Sequence, residues 1–166
     1  MKIIDSLIVE LTQESAATKK LFERLPENKL GWKPHIKSMS LGDLASHMVE
    51  SLNWIAPVLD GDEFVFDPND HKPWSAASKE EILHKFEKKT QKALKQLEGR
   101  DDVMMMKPWR FMMGGRVIFE MPRAAVLRSM IFNHSVHHRG QLTVYLRMLD
   151  VPLPAIYGPT ADEPSV

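Results

Sequence analysis

The chain carries, at residues 133–141, the run Asn-His-Ser-Val-His-His-Arg-Gly-Gln, inside an apolar-periodic segment from about Pro122 to Asp150. Steps of four and three residues along this segment give Leu127, Ile131, His134, His138, Gln141, Tyr145 and Met148. This spacing predicts a helix whose inward stripe contains two imidazoles where Leu or Ile would ordinarily pack. Residues four apart are separated by about 40° around a helix axis, so His134 and His138 can face one object, whereas His137 lies beside the stripe.

Three further segments show apolar residues at helical spacing. They run from Ile3 to about Leu25, from Ser40 to about Asp60, and from Ser78 to about Gly99. Ser40 and Ser78 are each followed three residues later by an acid, which is typical of a capped helix start. No strong alternating pattern competes with these four helices. The sequence therefore predicts an all-α protein, a four-helix bundle that forms a single domain over residues 1–166.

The connections between the predicted helices are rich in turn residues. Residues 61–77 are interpreted as a long loop, in which His71 is a solvated side chain. Residues 100–121 carry clustered methionines, and Gly114-Gly115 within them could form a short hairpin or an irregular crossover. The simpler interpretation is a loop that packs over the bundle, and the alternative is the lining of an apolar substrate pocket. Four prolines after Asp150 predict an extended C-terminal strap.

Composition argues against several classes of function. Lys plus Arg and Asp plus Glu both total 22, so no net positive field is available to recruit a nucleic acid. The absence of cysteine rules out disulfides, thiolate metal ligands and a cysteine nucleophile. No apolar run is long enough for a transmembrane helix and no signal peptide is evident, so we expect a cytoplasmic protein without a membrane partner. A Gly-x-Ser-x-Gly elbow and a Gly-rich phosphate loop are also missing.

A third histidine, His47, occupies an inward position on the second predicted helix. If the helices cross so that it meets His134 and His138, three neutral imidazoles would form an open site for Zn²⁺, Ni²⁺ or Fe²⁺. Glu50 and Asp43 are candidate partners for the ring nitrogens that do not bind the ion. The competing interpretation is that these histidines are hydrogen-bonded core residues, and spacing alone leaves both open.

Three blocks of the sequence resemble the DinB/YfiT-like family of metal-binding proteins. They are Asn-His-x-x-His-His-Arg-Gly-Gln-Leu at 133–142, Leu-x-x-Leu-x-x-His at 41–47, and Val-Pro-Leu-Pro-Ala-Ile-Tyr-Gly-Pro-Thr-Ala-Asp-Glu at 151–163. The resemblance covers nearly the whole chain, with the blocks in the expected order. It implies a four-helix bundle, often a homodimer, in which His47, His134 and His138 bind a divalent metal ion.

The resemblance also implies a class of reaction. The family includes enzymes that use bacillithiol or mycothiol, among them S-transferases and a maleylpyruvate isomerase. It therefore implies a small-molecule substrate and a low-molecular-weight thiol such as bacillithiol, transferred to an electrophile by a metal-dependent enzyme. The alternatives are a metal-dependent hydrolase, with Glu50 as the nearby acid, and a non-enzymatic metal-binding or stress protein. Gln141 could orient a ligand, and Arg139 is expected to brace the bundle or a dimer contact.

Overall fold

Helices make up most of the protein. The structure, a computed structural model, describes residues 2–70 and 72–164. Its α-helices are α1 (Ile3–Glu23), α2 (Leu41–Ser51), α3 (Ile55–Asp60), α4 (Lys79–Leu97), α5 (Asp102–Met106), α6 (Arg123–Leu127) and α7 (His134–Met148). A 3₁₀ turn, Leu52–Trp54, joins α2 to α3, and a π-helical segment, Arg128–Asn133, joins α6 to α7. Helices therefore occupy all four segments in which apolar spacing predicted them.

The predicted helix starts at Ser40 and Ser78 are both capped. The hydroxyl of Ser40 accepts a hydrogen bond from the backbone N–H of Asp43 at 3.1 Å. The hydroxyl of Ser78 does the same for the backbone N–H of Glu81, also at 3.1 Å. Each bond satisfies an amide of the first turn that has no partner within its own helix. The cap at Ser40 fixes the start of α2, and with it the turn on which His47 lies.

The long helices pack around a shared hydrophobic core. Helix α1 contacts α4 and α7, and α2 contacts the same two helices. Fully buried side chains come from all four: Leu7, Leu21, Phe22, Leu44, Val49, Ile82, Leu97, Leu142 and Leu146. Burying one such side chain contributes about 1.5–3 kcal/mol relative to leaving it exposed. This packing holds α2 and α7 side by side, and these are the helices that carry the candidate ligands.

A three-stranded sheet departs from the all-α prediction. Its strands are β1 (Glu63–Phe66), β2 (Pro108–Met113) and β3 (Arg116–Pro122), in the spatial order β1-β2-β3. Strand β1 runs parallel to β2, and β2 runs antiparallel to β3. The prediction of an all-α protein is therefore wrong, since the protein contains a small mixed sheet in addition to its helices. Strand β1 lies in the segment interpreted as a loop, and β2 and β3 lie in the methionine-rich segment.

The hairpin of β2 and β3 is one of the two structures that Gly114-Gly115 allowed. Both glycines have positive φ, at +55° and +73°, which a two-residue turn matched to the strand twist requires. Trp109 and Phe111 alternate along β2, but neighbouring methionines obscure that pattern in the sequence. Strand β1 pairs with a strand far along the chain, and no local pattern encodes such a contact.

The C-terminal strap folds back on itself and is tied to two helices. The carboxylate of Asp162 accepts a hydrogen bond from the backbone N–H of Leu153 at 2.8 Å. The same carboxylate forms an ion pair with Arg147 of α7, and Glu163 forms one with Arg24 of α1. The described part of the strap therefore packs against α1 and α7 without forming regular secondary structure.

The sequence predicted a solvated His71 and no transmembrane helix. His71 lies outside the described residues, so its exposure stays a prediction. Within residues 2–70 and 72–164, none of the helices combines the length and the hydrophobicity that crossing a bilayer requires.

Candidate metal centre

Three histidines from two helices meet between α2 and α7. His47 lies on α2, and His134 and His138 lie one turn apart on α7. The Nε2 atom of His134 is 2.7 Å from Nε2 of His138 and 3.2 Å from Nε2 of His47. The ring centroids of His47 and His138 are 4.7 Å apart. The structure thus brings together all three histidines that the sequence singled out.

The separations of these nitrogens fit a metal ion. Imidazole nitrogens bind divalent transition metals at about 2.0–2.2 Å, which places neighbouring ligand nitrogens roughly 2.8–3.6 Å apart in octahedral or tetrahedral geometry. The separation of 3.2 Å lies within that range, and the separation of 2.7 Å lies just below it. Hydrogen bonding alone is a poorer account, because Nε2 of His134 faces two other rings and has one proton or one lone pair to share. The three-histidine group could therefore hold a metal ion.

Hydrogen bonds orient two of the rings toward this point. Nδ1 of His138 lies 2.7 Å from Oε1 of Gln141. In the tautomer with a proton on Nδ1, the ring donates to Gln141 and keeps the lone pair of Nε2 directed at the other histidines. The ring of His134 forms a hydrogen bond with the backbone of Met130. Gln141, which the sequence placed on the inward stripe, is thus a partner of a candidate ligand.

Burial favours the neutral form of His134 and His138. Desolvation, together with the neighbouring rings of His138 and His47, lowers the pKa of His134 from 6.5 to about 4. Desolvation also lowers the pKa of His138, although its hydrogen bond with Gln141 opposes that shift. Metal binding requires a neutral imidazole. At neutral pH these two side chains therefore already have the protonation state that a metal ion needs.

Comparison with known proteins assigns the chain to a family. The model of the DinB family matches residues 4–165. The chain belongs to the DinB family. The resemblance inferred from three short sequence blocks is thereby confirmed over nearly the full length of the protein.

Individual relatives agree with this assignment. The chain is 29% identical over 164 residues to the uncharacterised protein YrdA of Bacillus subtilis strain 168, an alignment that covers 96% of this chain and 91% of YrdA. It superimposes on a DinB-like protein of Bacillus cereus ATCC 10987 with a TM-score of 0.70 and 26% identity, over 88% of this chain and 92% of that one. The DinB-like protein YjoA of Bacillus subtilis, 20% identical, has the same fold with a TM-score of 0.70 over 91% and 96% of the two chains.

In this DinB-family chain, a π-helical segment ends directly before His134, the first candidate ligand on α7. The segment spans Arg128–Asn133, and α7 begins at His134. A π turn contains more residues than an α turn, so it rotates α7 relative to α6, and such turns are frequent at functional sites. The sequence gives no signal for it, because Leu127 and Ile131 are buried in this arrangement and would also be buried in a regular α-helix.

The two acids suggested as partners of the α2 histidine have other hydrogen bonds. The carboxylate of Asp43 accepts from the hydroxyls of Ser40 at 2.6 Å and Ser75 at 2.8 Å. The bond from Ser40 is the main cause of a pKa for Asp43 below its usual value. The carboxylate of Glu50 accepts from the backbone N–H of Trp74 at 3.2 Å. Asp43 and Glu50 therefore both anchor the segment that follows β1 to α2.

The neighbours His137 and Arg139 have different environments. His137 is exposed, and its ring centroid lies 4.9 Å from that of His138. Arg139 is only 2% exposed. It donates to the backbone carbonyl of Glu14 at 2.9 Å and also contacts the Glu14 carboxylate and the Tyr157 hydroxyl. Arg139 therefore braces α7 against α1 and the strap, which is one of the two roles expected for it.

An open cavity of about 620 Å³ adjoins the histidines. It is lined by His47, Glu50, Ser51, Trp54, Phe66, Ser129, Met130, Asn133, His134 and His137. Sequence reasoning did not identify Trp54 and Phe66 as functional candidates, since Trp54 lies in the 3₁₀ turn and Phe66 is placed by long-range strand pairing. The Phe64-x-Phe66 alternation was the available signal. None of the described lining residues comes from 100–121, so those methionines do not form the pocket.

Proposed function

We propose that this protein is a metal-dependent enzyme that transfers a low-molecular-weight thiol to an electrophilic small molecule. His47, His134 and His138 would bind one divalent ion. The observation that carries the proposal is the convergence of imidazole nitrogens beside an open cavity. The resemblance to thiol-using members of the DinB family supports the thiol as one reactant.

The nature of the ligands narrows the choice of metal. Imidazole favours Zn²⁺, Ni²⁺ or Fe²⁺, whereas Mg²⁺ and Ca²⁺ prefer oxygen ligands. Three protein ligands leave coordination positions free, as in catalytic sites, whereas a structural site is closed by a fourth protein ligand. A bound ion would lower the pKa of a thiol or a water that enters the cavity. A closed fourth coordination position would favour the non-enzymatic alternative, and the open cavity beside the histidines does not provide one.

The side chains around the ion would supply orientation and an apolar environment. Gln141 would hold the ring of His138, while Met130 and Trp54 would limit the access of water to the reacting atoms. In the transfer, the thiol sulfur forms a bond to the electrophilic carbon. The leaving group departs with the bonding electron pair, and the thiol proton passes to solvent.

Conjugation of bacillithiol to monochlorobimane tests this reaction. We expect metal-loaded protein to accelerate the conjugation, and metal-stripped protein and His138→Ala to lose the acceleration. Mycothiol, coenzyme A and cysteine, assayed in parallel, would identify the preferred thiol. His84→Ala, on the exposed face of α4, is the matched control and should keep full activity. Equal rates with and without metal would contradict the proposal.

Metal-dependent hydrolysis is the second candidate, and one observation favours it. Glu50 lines the same cavity as the histidines, where a carboxylate could accept the proton of an attacking water. Under this alternative, metal-loaded protein would hydrolyse p-nitrophenyl acetate without any thiol. Glu50→Gln would then slow hydrolysis by about 10²-fold or more. Thiol conjugation without hydrolysis would exclude the second candidate.

A further inference from the structure

We infer that the cavity binds a neutral, apolar, ring-bearing molecule against a wall formed by Trp54 and Phe66. The inference rests on the proposed function, in which this molecule would be the electrophile, and it gives the chemical class of that substrate.

The wall belongs to a cluster of aromatic side chains. One face of the sheet carries Phe64, Phe66, Trp109, Phe111 and Phe119, which are either two residues apart on one strand or paired across strands. Trp54 packs on this face from the 3₁₀ turn. Its ring centroid lies 4.8 Å from Phe64, 5.9 Å from Phe111 and 6.4 Å from Phe66. The sheet therefore supports one side of the cavity.

The two cavity residues are more exposed than Trp109, although Phe64, Phe111 and Phe119 are partly buried too. Trp109 is fully buried, and its indole N–H donates to the carbonyl of Pro57 at 3.0 Å. Trp54 and Phe66 are only partly buried, and both face the cavity. Neighbouring rings restrict their movement, so this apolar surface is formed before any guest arrives. A flat ring is the guest that such a surface accommodates best, because aromatic rings favour offset or edge-to-face contacts.

The charge of the lining favours a neutral guest. Among the described residues that line the cavity, Glu50 is the one carboxylate, and none is Lys or Arg. An anionic group placed against this wall would lose its hydration and approach Glu50, with no Lys or Arg of the described lining to pair with it. The charge of a bound ion would instead attract the thiolate at the histidines. The other ionised groups of an anionic thiol would therefore remain on the solvent side of the cavity, and the wall would be left to the second reactant. A volume of about 620 Å³ is ordinary for a small-molecule site.

Two fluorescent probes with the same carbon skeleton test the inference. N-phenyl-1-naphthylamine is neutral, and 8-anilino-1-naphthalenesulfonate adds one sulfonate. We expect the purified protein to bind the neutral probe more tightly. Trp54→Ala should weaken its binding by about tenfold, and Glu50→Gln should reduce the difference between the two probes. Trp32→Ala is the matched control, because this half-buried tryptophan packs against Tyr145 with centroids 5.7 Å apart and does not line the cavity.

Equal affinity of Trp54→Ala and Trp32→Ala for the neutral probe would overturn the inference, as would equally tight binding of the sulfonate by the unaltered protein. If Trp54→Ala fails to fold, Trp54→Leu keeps an apolar side chain and should still lose the ring contact. Metal content measured on the same samples separates this inference from the proposed function. Trp54-dependent probe binding without a bound metal would refute the metal enzyme but not the wall. A full metal complement without Trp54-dependent probe binding would refute the wall but not the metal enzyme.

Discussion

At the scale of single residues, the direction of each histidine ring matters as much as its position. Gln141 is the clearest case, because Oε1 lies 2.7 Å from Nδ1 of His138. Gln141→Leu should weaken metal affinity by about 10–100-fold, since the ring would lose the partner that fixes its tautomer. Competition with a chelator measures the affinity.

The control for this change is Gln13→Leu, which removes an exposed glutamine from α1. It should leave metal affinity unchanged. If Gln141→Leu binds metal as tightly as Gln13→Leu, then the contact with His138 has no role in the metal centre.

Arg139 lies next to a candidate ligand in sequence, yet its contacts are structural. Arg139→Met should lower the free energy of unfolding by about 3 kcal/mol, because the carboxylate of Glu14 would lose its buried partner. Metal stoichiometry at neutral pH should stay the same. Urea unfolding of metal-stripped protein measures the first effect, and elemental analysis measures the second.

Arg147→Met is a matched control for this substitution. Arg147 forms an ion pair with Asp162 at the surface, and such pairs contribute about 0–1 kcal/mol. Equal loss of stability in the two variants would show that the buried position of Arg139 makes no difference.

At the scale of elements, the helices could be predicted because their signals are local. Apolar residues at helical spacing and the caps at Ser40 and Ser78 all act within a few residues. The candidate ligands could be predicted for the same reason, since His134 and His138 replace apolar residues on an inward stripe. That His47 would meet them depends on how α2 crosses α7, which spacing does not specify.

The sheet could not be predicted from the same signals. Strand β1 has four residues, and its partner strand lies far along the chain. Its stability comes from aromatic packing with Trp54 and Phe111 rather than from a local propensity. The aromatic residues that line the cavity were missed for this reason, whereas the candidate ligands beside them are marked by a local pattern.

The turn between β2 and β3 gives a prediction at this scale. A side chain at Gly114 would meet no atom within 4 Å, so its positive φ is the constraint on substitution. Gly114→Asn should be nearly neutral, because Asn tolerates this conformation. Gly114→Val should lower the free energy of unfolding by about 2 kcal/mol. Urea unfolding of both variants measures the difference, and equal stabilities would argue against the hairpin turn.

At the scale of the whole molecule, the homodimer implied by the resemblance stays a prediction. Helix α7 exposes Val136, Gly140, Val144 and Met148 at intervals of four residues. Such an apolar stripe suits a self-complementary contact. Val144→Asp should therefore shift the sedimentation coefficient from that of a dimer to that of a monomer. A monomeric unaltered protein would contradict the prediction directly.

The metal ion is the central claim, and elemental analysis tests it most directly. The protein would be purified without chelators or nickel resin, beside His134→Ala and the surface control His84→Ala. We predict about one transition-metal ion per chain in the unaltered protein and in His84→Ala, and none in His134→Ala. No metal above background in the unaltered protein, or full occupancy in a folded His134→Ala variant, would contradict the three-histidine centre.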